Sequence, residues 1–146
     1  MSSPPFEILE HTADVGLRAF GATLPELFAN AARGLIALAL EPLGIGDAAP
    51  QAIPEQCRKL SARGEDREEL LVHFLSEILY ALDTEGWRFA EFRFQTLAAN
   101  LIEAEGWGSC AERSEHSRVA VKAVTYHQVS VTQTAEGWEA VVYFDI

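Results

Sequence analysis

Two runs of helical periodicity, set among segments that alternate like strands, constrain the fold of this chain more than any other feature of its sequence. Leu24, Leu27, Phe28, Ala31, Leu35 and Leu38 fall at offsets 0, 3, 4, 7, 11 and 14, one apolar stripe of an α-helix. Leu70, Leu71, Phe74, Leu75, Ile78, Leu79 and Leu82 repeat at the same kind of spacing and predict a second helix ending near Gly86. Each run opens on a capping pattern, Thr23 with Glu26 and Asp66 with Glu69, and Pro25 is tolerated in a first helical turn. Strand-like segments surround them: 6–9 and 15–20 before the first helix, a weak one at 57–62 between the helices, and 87–96, 101–107, 119–126, 129–132 and 138–146 after the second. The order β-β-α-β-α-β-β-β-β-β lacks a regular βαβ alternation. It predicts an α+β, two-layer domain, mostly antiparallel β-sheet with the two main helices packed on one side.

At 146 residues the chain reads as a single domain, 1–146, long enough to bury roughly 68% of its unfolded surface. A hydrophobic content of 49% with 23% charged residues excludes disordered, collagenous and coiled-coil chains. Pro42, Gly44, Gly46, Pro50 and Pro54 break both periodicities, so 41–54 is expected to be a long flexible loop. The net charge of −11 repels phosphate backbones, which excludes direct, tight nucleic-acid binding and favours cations or a partner protein with a basic patch. Cys57 and Cys110 have neither zinc nor CxxC spacing and indicate no disulfide framework, so a reducing cytoplasm is the expected compartment. Nothing in the sequence reads as an export signal, and no apolar run approaches the ~18 residues of a membrane span.

The densest polar cluster is Glu10-His11-Thr12-Ala13-Asp14, with Gly16, in the turn between the first two strands. Asp14 has the chemistry of a hard-cation ligand, and His11 that of a metal ligand or acid/base. The plainer alternative is a turn-capping aspartate beside a surface histidine. At the other end, a strand runs straight into Asp145 and Ile146, so the terminal carboxylate is itself a candidate ligand. Asp14, Asp145 and Ile146 together would make an all-oxygen, negative site of the kind Ca²⁺ or Mg²⁺ accepts, provided that the two aspartates meet in space. A solvated Asp145 on an edge strand is the alternative. Lys122 and His127 flank 123–126 near a strand end, and Glu77 stands where the apolar face of the second helix meets its polar face. These remain candidate contacts beside the bland reading of solvated surface groups. No GxSxG, P-loop, GxGxxG, HExxH or EF-hand pattern is present, and Ser76, Ser130 and the cysteines have no visible base partner.

The string Phe6-Glu7-Ile8-Leu9-Glu10-His11-Thr12-Ala13-Asp14-Val15-Gly16-Leu17-Arg18-Ala19-Phe20-Gly21 closely resembles the opening of the archease family. Residues 69–80, residues 121–127 and the terminal Phe144-Asp145-Ile146 resemble later family motifs in the same order. Phe74, where a tryptophan is common, and Ala111-Glu112, in place of Gly-Glu, depart from the pattern. The resemblance implies a non-enzymatic protein factor that assists an RtcB-type RNA-splicing ligase. Such a factor promotes guanylylation of the ligase's active-site histidine and multiple turnover, in tRNA splicing or RNA repair. It further implies a divalent cation, calcium before magnesium or manganese, held by Asp14, Asp145 and Ile146, with Lys122 and His127 also at motif positions. The alternatives are a chaperone-like interaction module with a structural cation and, more remotely, a small metal-dependent hydrolase using His11 and Asp14.

Overall fold

The computed structural model describes residues 4–10, 14–40, 56–110 and 119–146. The expected loop at 41–54, His11 and Ala111-Glu112 lie outside these residues. In chain order the elements are β1 (Phe6–Glu10), β2 (Asp14–Gly21), α1 (Leu24–Leu40), β3 (Gln56–Arg63), α2 (Arg67–Tyr80), β4 (Trp87–Leu97), β5 (Leu101–Cys110), β6 (Ala123–Thr134) and β7 (Gly137–Asp145). The fold is α+β, as the periodicities predict, and every strand pairing is antiparallel. The strands divide between two sheets, ordered β1-β2-β7-β6 and β3-β5-β4, and each helix packs against strands of both.

Local chemistry explains both helix starts. The Thr23 hydroxyl accepts from the Glu26 N–H at 3.3 Å, and the Asp66 carboxylate accepts from the Glu69 N–H at 2.8 Å. The second helical run continues past Tyr80 as one wider π-turn, Ala81–Glu85. It stops at Gly86, whose φ of 83° lets its N–H reach back to the Ala81 carbonyl. Leu27, Phe28, Leu35, Leu70, Phe74 and Ile78 are fully buried from the helix side, and Leu17, Leu60, Val142 and Phe144 close the same core from the sheets.

The two late segments expected at 119–126 and 129–132 merge into one strand, Ala123–Thr134, and 119–122 lie before it outside any strand. β6 pairs with β7 at 123–125, leaves the ladder after Thr125, and rejoins it at Ser130 opposite Val141. Gln128, at φ 54°, turns the chain inside this bulge, a single left-handed residue with no glycine to announce it. The exposed edge of β6 is partly covered by α2, because Glu68 accepts the Val131 N–H at 3.0 Å.

Arg58 of β3 ties the second sheet to the end of α2. Its guanidinium donates to both carboxylate oxygens of Glu85, at 2.6 and 3.1 Å, and to Glu77 at 2.8 Å. These hydrogen bonds raise the Arg58 pKa further and hold the Glu85 carboxyl below its usual range. A depressed carboxylate stabilises the fold above its unfolded pKa and ceases to do so as pH falls through the lowered native value. Arg58→Met is therefore expected to cost about 1–2 kcal/mol at pH 7, charge-assisted bonds being discounted for two carboxylates that are each about a third exposed. In denaturant titrations the gap between variant and wild type should close as the pH is lowered past the point where Glu85 protonates. A gap independent of pH would contradict the ion-pair assignment.

Candidate functional site

The first sheet joins the two ends of the described chain, since β7 lies between β2 and β6. Register then decides the site. Val15, Leu17 and Ala19 oppose Phe144, Val142 and Ala140; all but the half-buried Val15 are buried in the core, and Val15 shares their face by alternation. The alternate set lies on the outer face, where Phe20 opposes Glu139, Arg18 opposes Val141, Gly16 opposes Tyr143, and Asp14 opposes Asp145. The adjacency that a shared cation site requires is thus a direct cross-strand pairing between the first residue of β2 and the last of β7.

Two carboxylates directly opposite one another across a ladder repel, and such pairs are destabilising by roughly 0.2–1 kcal/mol. Paired positions lie about 4.5–5.5 Å apart between Cα atoms, within reach of one cation. The donor set is hard oxygen throughout, which suits Ca²⁺, Mg²⁺ or Mn²⁺ better than Zn²⁺. Among the described residues no group of three or more His, Cys, Asp and Glu side chains could hold a metal. A cation here would need main-chain or water oxygens beside the two aspartates. Ile146, the candidate for one of these, follows Asp145 and is 54% exposed.

The remaining candidates separate. Lys122 joins this end of the sheet through its backbone, its N–H donating to the Asp145 carbonyl at 2.8 Å, while its side chain is exposed. His127 stands in the β6 bulge, its N–H bonded to the Thr125 hydroxyl and its ring edge-on to Tyr143 with centroids 6.1 Å apart. Glu77 is engaged on the second sheet with Arg58 and takes no part in the aspartate pairing. Cys57 makes a poor nucleophile, because desolvation and then the Glu105 carboxylate hold its thiol pKa above the ordinary value.

Tyr143 lies beside the aspartate pair and was missed by motif reading, whereas Gly16, singled out with the Glu10–Asp14 cluster, makes room for it. A β-carbon on Gly16 would stand 2.7 Å from the Tyr143 ring and 2.9 Å from Leu9 Cβ, so only glycine lets the ring lie across β2 beside Asp14. The signal was present, since Tyr143 alternates with Asp145 on one face of the strand. Two grooves are lined elsewhere, one by Arg63, Glu69, His73 and Glu103 and the other by Pro5, Phe20, Glu136 and Trp138, and neither includes Asp14 or Asp145. The aspartate pair sits at a sheet end rather than inside either groove.

Comparison with known proteins gives the family and agrees with the fold. The sequence model of the Archease protein family (MTH1598/TM1083) matches residues 6–146. The chain is 35% identical over 147 residues to protein archease of Methanosarcina barkeri, covering 97% of this chain and 95% of that one. It is 35% identical over 143 residues to protein archease of Saccharolobus islandicus, covering 97% and 98%. Among solved structures, protein 1598 of Methanobacterium thermoautotrophicum superposes with a TM-score of 0.73 at 27% identity, covering 97% of this chain and 99% of that one. A Thermotoga maritima protein, described as an archease and possible chaperone, shares the fold with a TM-score of 0.58 at 20% identity, over 100% of this chain and 98% of that one. With the family motif running from β1 to the end of β7 and relatives matched over almost their whole length, this chain belongs to the archease family.

Proposed function

We propose that this chain is an accessory factor of an RtcB-type RNA ligase, promoting the ligase's guanylylation and multiple turnover in tRNA splicing or RNA repair. The observation that carries the reading is the direct pairing of Asp14 with Asp145 at one end of the sheet, in a chain of the archease family. A bound divalent cation would supply charge neutralisation toward phosphate oxygens. Asp14 and Asp145 would hold it, with a main-chain oxygen of Ile146, and the Lys122 N–H fixes the Asp145 backbone from the neighbouring segment. Placement at a sheet end suits presentation to a partner rather than enclosure of a small substrate. The net charge of −11 favours a basic, RNA-handling protein over free RNA.

Multiple-turnover ligation by an RtcB-type enzyme, with and without equimolar protein, tests this reading. The expected result is several products per ligase with the factor and about one without it; equal turnover would contradict it. The second reading, a chaperone-like module with a structural cation, follows the description of the Thermotoga maritima relative as a possible chaperone. It predicts suppression of client aggregation with no dependence on GTP or on a ligase.

A further inference from the structure

A hydrogen-bonded bridge connects α2 to the β6 bulge. His73 Nδ1 meets the main-chain carbonyl of Arg63, and Nε2 lies 2.6 Å from the Tyr126 hydroxyl. A carbonyl oxygen only accepts, so Nδ1 carries a hydrogen, and in the neutral ring Nε2 then accepts from the Tyr126 O–H. The two rings meet edge-on with centroids 5.9 Å apart. Tyr126 is 56% exposed, so burial alone does not place it.

What this bridge holds follows from the ladder. The part of β6 beside Asp145 is only three pairs long: Ala123 opposite Asp145, Val124 opposite Phe144 and Thr125 opposite Tyr143. The bulge cuts it off from the longer ladder that resumes at Ser130, and Gln128 in that bulge occupies a conformation that persists only where its surroundings enforce it. A ladder this short, isolated by a bulge, frays or slips unless its free end is anchored. Tyr126 is the first residue past that end, and His73 anchors it to both α2 and the end of β3.

We propose that His73 is a positioning residue for the aspartate pair: the β2 ladder sets Asp145 opposite Asp14, and through Tyr126 His73 pins the β6 bulge, keeps the 123–125 ladder in register against the other side of β7, and so steadies the Asp145 end of that strand and holds His127 against Tyr143. This rests on the reading of Asp14 and Asp145 as cation ligands. It adds a residue on a helix that carries none of the ligands.

Tyr126→Phe removes only the hydroxyl, and His73→Phe keeps the ring while removing both hydrogen bonds. Two quantities separate positioning from plain structural support: calcium affinity by calorimetric titration, and hydrogen exchange at the amides of 122–125. Each single variant breaks the His73–Tyr126 bond and is expected to bind Ca²⁺ about fivefold more weakly, as for loss of that one bond, and to exchange those amides faster. The double variant should be no worse than the weaker single, since both act on one bridge. The Tyr126→Phe melting temperature should stay close to wild type. Wild-type calcium affinity and exchange rates in Tyr126→Phe would overturn the role of His73 while leaving the aspartate site standing. A wild-type chain that does not bind Ca²⁺ would overturn the site and the positioning role together.

Discussion

Saturating Ca²⁺ will raise the melting temperature of the wild-type chain and leave that of Asp145→Asn unchanged. A ligand that binds only the folded state stabilises it by RT ln(1 + [L]/Kd), about 2.7 kcal/mol at a hundredfold excess over Kd. For a domain of this size that corresponds to roughly 10 °C. Without the cation the order should reverse. Asp145 faces Asp14 directly across the ladder, and removing one of two opposed charges should stabilise the cation-free variant by up to about 1 kcal/mol. Asp14→Ala should likewise weaken Ca²⁺ binding by more than about 100-fold, since loss of even an outer-shell partner of a metal ligand costs about 10–100-fold. Both variants should lose ligase stimulation while remaining folded. A cation response that persists in Asp145→Asn would move the site elsewhere.

The largest expected loss of stability comes from Phe74→Ala. Phe74 is fully buried, and its ring lies 6.1 Å from Phe28, 6.4 Å from Phe92 and 5.5 Å from Phe94, between centroids. It therefore joins α2 to α1 and β4 through one aromatic cluster. Truncation should cost about 3–5 kcal/mol in denaturant unfolding, from lost transfer energy together with the cavity left behind. That is a large share of the about 5–15 kcal/mol typical of a domain. A loss below about 1 kcal/mol would mean that the cluster collapses around the gap and does not organise the core.

The two helices were legible because their signals are local. Apolar spacing, a hydroxyl or carboxylate cap and a terminating glycine all lie within one segment, and Thr23, Asp66 and Gly86 each make the bond their position predicts. β3 was faint because only Leu60 and Ala62 are buried along it, so its outward face carries most of the composition. The β6 bulge was misread as a strand break, since Gln128 adopts a left-handed conformation without glycine or asparagine to mark it. Of the candidate site, the chemistry of Asp14 and Asp145 was readable but their meeting was not. It depends on β7 inserting between β2 and β6, a pairing between distant segments that leaves no trace in either. Arg58 with Glu77 and Glu85, and His73 with Tyr126, are likewise products of tertiary placement.

Single-turnover guanylylation of an RtcB-type ligase by radiolabelled GTP, with divalent metal and with or without this protein, bears most directly on the assignment. A large acceleration that Asp14→Ala abolishes is the expected result. An unchanged rate on a ligase shown to be competent would contradict the role of ligase-activating factor and leave the chaperone-like module as the better reading.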